Sequence, residues 1–275
     1  MTRWTIFFLL ALLFLGGAPR ARADAAIGTI LEVEGTATVK PSGGKAAPAG
    51  KETPVHMQDV IATGPVSRAF ILFVDDTQIT LAENTALTVN EYVFDPDNAS
   101  KNKASYNVLR GAFQYLSGLI AKKPKPDVTI DTPYGAIGIR GTKIMGGLLD
   151  GVFGIFVDEG KIGVKNGGGE AVVGKNEGTN IESPAGKPGK PGAWPPEKLE
   201  RLRAMFRFRD DAALQKRIRT HKEKHDCSGE LEKRRRCERR GQKNCDDGDM
   251  RDLPVDDMGH EVFVPDVGGG SYSTW

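Results

Sequence analysis

Short apolar or alternating runs, separated by turn residues, fill the chain from Ile27 to Ser183. Thr36–Val39 alternates at the end of a longer run, Thr29–Val39. Ala69–Val74, Gln78–Leu81, Ala86–Val93, Tyr106–Leu109 and Ala112–Leu116 follow, then Val128–Ile130, Lys143–Leu149, Val152–Val157, Lys161–Val164 and Ala171–Val173. One strand-like run about every ten residues predicts an all-β sandwich, barrel or solenoid-like domain. No stretch before residue 195 shows the three-to-four-residue period of an amphipathic helix. Asp75-Asp76 and Asp158-Glu159-Gly160 are expected to make tight connections, with Gly160 free to take a positive φ.

One passage breaks the pattern. Asp131-Thr-Pro-Tyr-Gly-Ala-Ile-Gly-Ile-Arg-Gly-Thr142 places an Arg and three Gly in an otherwise β-prone, apolar run. Glycine permits bends and close approaches that side chains forbid. The expectation is a structural corner, with Arg140 buried against carbonyls or a carboxylate of Asp131, Asp75 or Glu159, because an unpaired buried charge is costly. The glycines lack the G-x-G-x-x-G spacing and the strand–helix setting of a nucleotide loop.

The period changes after Ser183. Residues 184–196 are rich in Pro and Gly and read as an extended linker. From Glu197, Leu199, Leu202, Phe206, Ala213 and Ile218 fall on one thin helical stripe, introduced by Pro195-Pro196. A stripe this thin predicts an exposed or weakly docked helix. At the other end, residues 1–23 combine Arg3, an apolar run and Ala21-Arg22-Ala23, the layout of a cleavable signal peptide. The apolar run is shorter than the roughly 20 residues of a spanning helix, and no transmembrane segment is expected in the mature chain. The domains are therefore 1–23 signal peptide, 24–183 β domain, 184–196 linker, 197–245 basic helical tail and 246–275 acidic, disordered C-terminus. A periplasmic or secreted location follows.

The net charge of +2 hides strong segregation. Glu197–Cys245 carries a local +8 and Asp246–Trp275 a local −7, while the β domain is near neutral. A near-neutral globular part argues against nucleic acid. The basic tract has as candidate partners anionic envelope surfaces such as peptidoglycan, or its own acidic C-terminus. Cys227, Cys237 and Cys245 are the three cysteines. Outside the cytoplasm they imply one disulfide and a leftover thiol, or an intermolecular bond. Their spacing, with His221 and His225, fits no common zinc pattern. Asp246-Asp247-Gly248-Asp249 lacks the later ligands of a calcium loop. The β domain has one histidine, His56, and no G-x-S-x-G context, so no catalytic residue, cofactor or metal is expected.

An ordered series of short patterns resembles the FecR-type periplasmic domain. Glu34-Gly35-Thr36-Ala37-Thr38-Val39 resembles its opening, and Asp59–Gly64 is similar to its GD-x-I-x-T-G segment, with Gln58 where Gly is usual. Ala69–Thr77 resembles its strand ending in D-G-t/s, with Asp76 in the Gly place. Leu109-Arg110-Gly111, Thr132-Pro133 through Arg140-Gly141-Thr142, and Val157–Val164 with Glu159-Gly160 complete the series. The motif positions are thus Gly64, Gly111, Thr132, Pro133, Arg140, Gly141, Thr142, Glu159 and Gly160. The resemblance implies a non-enzymatic all-β module. In founding members it relays a signal from an outer-membrane receptor to a sigma factor. The anti-sigma segment and inner-membrane helix that founding members place before this domain are not present in this sequence. The expectation is a stand-alone module that binds an envelope protein in signalling or regulation; the alternative is a peptidoglycan or carbohydrate binder.

Overall fold

The computed structural model describes residues 25–123 and 125–239, with side chains to residue 225. The chain divides into two compact units, Met1–Arg219 and Thr220–Trp275. Among the described residues of the first, fifteen strands form one continuous hydrogen-bonded sheet. They are β1 (Gly28–Glu34), β2 (Ala37–Lys40), β3 (Ala47–Ala49), β4 (Thr53–Val55), β5 (Val60–Thr63), β6 (Arg68–Phe73), β7 (Gln78–Leu81) and β8 (Ala86–Val93). Then come β9 (Lys103–Arg110), β10 (Phe113–Leu116), β11 (Val128–Thr132), β12 (Gly135–Leu149), β13 (Val152–Asn166), β14 (Gly169–Val173) and β15 (Glu177–Ile181).

The sheet folds on itself because two pieces of chain serve both layers. The hairpin β12–β13 pairs along nearly its whole length, yet the first part of β12 meets β11 and its second part meets β10. One layer therefore runs β3-β2-β5-β8-β9-β11 into the first part of β12, and the other runs β4-β1-β6-β7-β10 into the second part. On the far side, β1 passes into β2 across Gly35. All pairings are antiparallel except β9 with β11, whose connection crosses through β10 in the other layer.

The core lies between the layers. Ile61, Leu87, Tyr106, Ile130 and Ile137 of one layer face Ile30, Ile71, Phe73, Phe113, Ile144 and Ile155 of the other in one buried cluster. Period-two alternation supplies these inward positions and leaves polar residues outside. Aromatic rings join the layers: Phe73 meets Tyr106 edge-on at 5.4 Å, and Tyr134 stacks on Phe153 at 4.6 Å. The sheet edges β3 and β4 carry Pro48 and Pro54. Proline cannot donate to a further strand, so both edges are guarded against pairing.

Two expectations change here. Asp158-Glu159-Gly160 is not a turn between strands, because β13 runs unbroken through it, bulging at Gly160 with φ of 77°. The helical tail is not weakly docked either. Helix α1 (Pro196–Ala204) and the start of α2 (Asp211–Arg239) lie on the outer face of the second layer. Leu202 and Phe206 join Ala82, Ala112, Met145 and Phe156, while Phe208, Leu214 and Ile218 join Leu31, Phe70 and Leu72. The stripe looks thin by itself, but the strand face it meets is apolar at the outward positions too, so burial is nearly complete. The Pro/Gly segment is likewise held: Gly192 and Gly178 exchange backbone hydrogen bonds at 2.8 and 3.1 Å. The Trp194 ring lies on Gly154 and Gly178, where an added Cβ would come within 2.6 and 2.3 Å of it.

In the second unit, α2 continues to Arg239, and the His221 and His225 rings lie 4.3 Å apart. The side chains of Cys227 and Cys237, all of Cys245, the signal segment 1–23 and the acidic terminus 246–275 lie outside the described residues. No described helix is long and apolar enough to cross a membrane.

Candidate functional site

Four crossings between the layers collect at one end of the sandwich, and the glycine motifs sit in them. Gly35, with φ of 76°, has no room for a Cβ, which would fall 2.3 Å from the Ser67 hydroxyl. That hydroxyl accepts the Thr36 N–H at 2.9 Å and donates to the Pro65 carbonyl at 2.8 Å. Gly64 is pressed against Thr36, and Gly111, with φ of 91°, against Thr85. Beneath them the Thr63 hydroxyl donates to the Ala82 carbonyl at 2.5 Å, and Thr85 bridges both backbone groups of Ala112 at 3.0 Å. Thr63 and Thr85 are buried, so each hydroxyl satisfies backbone groups that the crossings free from the ladder.

The opposite end is built on Asp75, which is fully buried. Its carboxylate accepts from Thr77 N–H at 3.1 Å, Thr77 hydroxyl at 2.8 Å, Tyr92 hydroxyl at 2.7 Å and Ile120 N–H at 3.2 Å. Gly118 leans on this hub, where a Cβ would lie 2.2 Å from the Asp75 carbonyl. Burial first, and then the Asp75 carboxylate, push the Tyr92 phenol far above its ordinary range. Tyr106 and Tyr115 move the same way, burial again being the largest cause. Nearby, Gly160 packs on the Gly141 carbonyl and Thr142 on Ser117, whose hydroxyl accepts the Thr142 N–H at 2.8 Å. Thr132 closes the β11–β12 hairpin: its hydroxyl donates to the Gly135 carbonyl at 2.9 Å and accepts Tyr134 N–H at 3.1 Å, with exposed Pro133 at the tip.

Arg140 corrects an expectation. Its side chain is exposed on β12, opposite Lys161 of β13, and Glu159 is exposed as well. The corner is held by glycine and hydroxyl contacts instead, and the buried charge-bearing hub is Asp75. Two non-glycine residues take the left-handed backbone that the sequence pattern assigns to glycine: Gln58 at φ of 67° and Asp76 at φ of 68°. Asp75 and Asp76 both suit a turn, and nothing in the dipeptide says which carboxylate points inward.

The glycine end opens onto a groove of about 520 Å³ against α1. Ala82, Gly111 and Ala112 form its small-residue floor, and Val66, Leu148 and Met205 its apolar rim. Val66 is 74% exposed and sits at φ of 50°. A β-branched residue in that region is a genuine outlier. The Glu83 carboxylate holds it by accepting the Val66 N–H at 2.8 Å. The charged rim is already engaged. Arg68 donates to the Met205 carbonyl at 2.8 Å and to the Ala204 carbonyl at 3.3 Å, satisfying groups that the C-terminus of α1 leaves open. Arg201 pairs with Asp150, and this bond holds the Asp150 carboxyl below its usual range. The groove therefore offers apolar surface in a fixed frame rather than free charge. Gly64 and Gly111 shape it; Thr132, Pro133, Arg140, Gly141, Thr142, Glu159 and Gly160 lie elsewhere. Val66, Arg68 and Leu148 carry no sequence signal, because their role depends on where α1 docks. Among the described residues, no group of His, Cys, Asp and Glu side chains is arranged to hold a metal.

Residues 59–171 match the family model described as FecR protein. Two crystal structures of a protein from Parabacteroides distasonis ATCC 8503, provisionally titled an anti-sigma factor, are similar over part of their length. They share 12% identity, with TM-scores of 0.41 and 0.40. The similarity covers 51% of this chain and 62% of that one. No curated protein matches the chain. Within the all-β sheet, residues 59–171, which hold the Gly64 and Gly111 crossings, carry the match to the FecR family, while the Gly35 crossing precedes the matched stretch.

Proposed function

We propose that this chain is a non-enzymatic, periplasmic or secreted FecR-like module that binds a protein partner in envelope signalling, using the groove beside α1. The observation that carries it is Val66. A strained, β-branched side chain that is 74% exposed gains little burial in its own domain, and such outliers cluster at functional sites, where the surrounding structure holds them. The occupant is a protein segment presenting an aliphatic or aromatic side chain. Small residues line the floor, and the surrounding Arg68, Glu83 and Arg201 are already bonded within the domain. The small floor makes a socket for one anchor residue, the arrangement in which interface energy concentrates. A carried FecR domain supports the regulatory side of this reading.

A photo-crosslinking residue placed at Val66 or Leu148, in cells of the source organism, tests it. Val172, exposed on β14, serves as control. Discrete protein adducts from the two groove positions and none from Val172 are expected, in a fraction released by opening the outer envelope. Adducts of equal yield from all three positions, or from Val172 alone, would overturn it. Amino-terminal sequencing of the mature protein should begin near Asp24; an intact Met1 would remove the secreted location.

A further inference from the structure

The strands of the second layer end together beside the Asp75 hub, and the residues that leave them are apolar. Register sets the ends of β4 and β6 against the start of β1: Val55 and Phe73 both lie opposite Gly28. Leu116 at the end of β10 likewise lies opposite Gln78 at the start of β7. Ile27 enters β1 here, donating its N–H to the Val55 carbonyl at 2.8 Å, while its own carbonyl accepts the Val74 N–H at 3.0 Å. Met57 follows Val55 by two residues, and the Leu119 N–H donates to the Asp75 carbonyl at 2.7 Å. Met57, Ile27, Val74 and Leu119 therefore form a row across the ends of five neighbouring strands, about 19 Å long at a spacing of about 4.8 Å.

This row is at odds with its place in the chain. Connections between strands are ordinarily built from Gly, Pro, Asn, Asp and Ser. Here Met57 is 40%, Val74 51% and Leu119 46% exposed, and Ile27 is half-buried. A polar residue at Val74 or Leu119 would take little burial from the fold, so folding alone does not explain the apolar choice. Single exposed apolar side chains are ordinary, but a contiguous set marks a contact with a protein or a membrane.

The occupant has to suit separate loop tips standing in a row. A bilayer interface does: apolar tips enter the boundary of the acyl chains, and lysines beside them keep their charge at the headgroups. Lys101, Lys122 and Lys125 are exposed at this end, against the exposed carboxylates of Asp97 and Asp127. Asp76 is engaged within the domain, and Asp127 acts on Lys103. The preceding chain leads to the same surface. Only residues 19–26 separate the apolar run Thr5–Ala18 from Ile27, so a leader held in the bilayer brings this end of the domain to it. We infer that this end of the sandwich rests on a phospholipid bilayer through Met57, Val74 and Leu119. The groove at Val66 lies at the opposite end and stays open to a partner. The inference does not depend on that groove; it rests on the exported location proposed above only for which bilayer is met.

Flotation with vesicles of phosphatidylethanolamine and phosphatidylglycerol tests it, using the chain from Asp24 to Trp275 so that the leader itself contributes nothing. The chain is expected to float with the vesicles and to stay bound at about 1 M salt, where screening shortens charge interactions to about 3 Å. Val74→Ser and Leu119→Ser should each weaken binding about fivefold, from half the transfer free energy of a fully buried aliphatic side chain. Both side chains are about half exposed, so the melting temperature should not change, which separates loss of the surface from loss of the fold. No flotation at high salt would overturn the proposal. Equal binding by wild type and the Val74→Ser/Leu119→Ser double variant would also overturn it, and would assign the binding to the basic tract instead. A dimer that forms without vesicles and is abolished in the double variant would overturn it in favour of a contact between two copies of the chain.

Discussion

Replacing Asp75 by Asn changes one atom in a fully buried hub, and the cost can be worked out bond by bond. One carboxylate oxygen accepts Thr77 N–H and Tyr92 hydroxyl; the other accepts Thr77 hydroxyl and Ile120 N–H. The amide nitrogen of Asn must replace one of them. Either way a hydroxyl can rotate to accept, but a backbone N–H, of Thr77 or of Ile120, is left facing another donor. A stranded buried donor costs about 1–3 kcal/mol, and hydrogen bonds to a charged group lose about 1 kcal/mol when that group becomes neutral. Relief from burying a carboxylate offsets part of this. The net expectation is destabilisation of about 2–4 kcal/mol, read as a lower urea midpoint at unchanged slope. Tyr92→Phe removes one of the four bonds and the acceptor of the Asp75 N–H, and should cost about 1–2 kcal/mol. Asp76→Asn keeps a residue tolerant of left-handed backbone and should shift stability by less than about 1 kcal/mol. If Asp75→Asn lies within about 0.5 kcal/mol of wild type, or costs no more than Asp76→Asn, the hub does not hold this end of the sandwich.

Four further outcomes are expected. Leu202→Ala, at a fully buried position between α1 and the sheet, should cost about 2–5 kcal/mol in urea unfolding and expose the helical segment to protease; a cost under about 1 kcal/mol would mean α1 is dispensable. Gly160→Ala, whose Cβ would meet the Gly141 carbonyl at 2.2 Å at a positive φ, should cost more than about 2 kcal/mol, while Gly163→Ala, with open space around it, should be near neutral by thermal melting. Tyr92, Tyr106 and Tyr115 hold their protons more tightly folded than unfolded, so stability is complete below about pH 10 and falls above it, by about 1.4 kcal/mol per pH unit for each phenol; denaturant midpoints flat from pH 9 to about pH 11 would contradict this. Val66→Gly should raise stability by about 0.5–1 kcal/mol by relieving left-handed strain, and at the same time weaken capture at the groove.

Alternation and turn chemistry in the sequence determined the all-β class, most strand positions and the glycines that must bend, because these depend on steric rules of a few neighbouring residues. Gly35, Gly111, Gly141 and Gly160 take positive φ in the structure, and their crowded surroundings show why no side chain fits at three of them. What local rules cannot supply is which layer a residue faces and what lies across from it. Arg140 reads as a buried corner charge from its apolar neighbours, yet period-two alternation along β12 turns it outward while Ile139 turns inward. The reverse holds for Asp75, which looks like an ordinary turn carboxylate until Tyr92, Thr77 and Ile120 converge on it from three parts of the chain. The thin stripe of Leu202 and Phe206 likewise gains its meaning only from the second apolar face of a sheet buried on both sides. The groove at Val66 exists only where a helix meets that sheet, and the row of Met57, Val74 and Leu119 only where strands of one layer end together. Tertiary structure alone decided them, because burial and hydrogen-bond satisfaction are set by residues far apart in sequence.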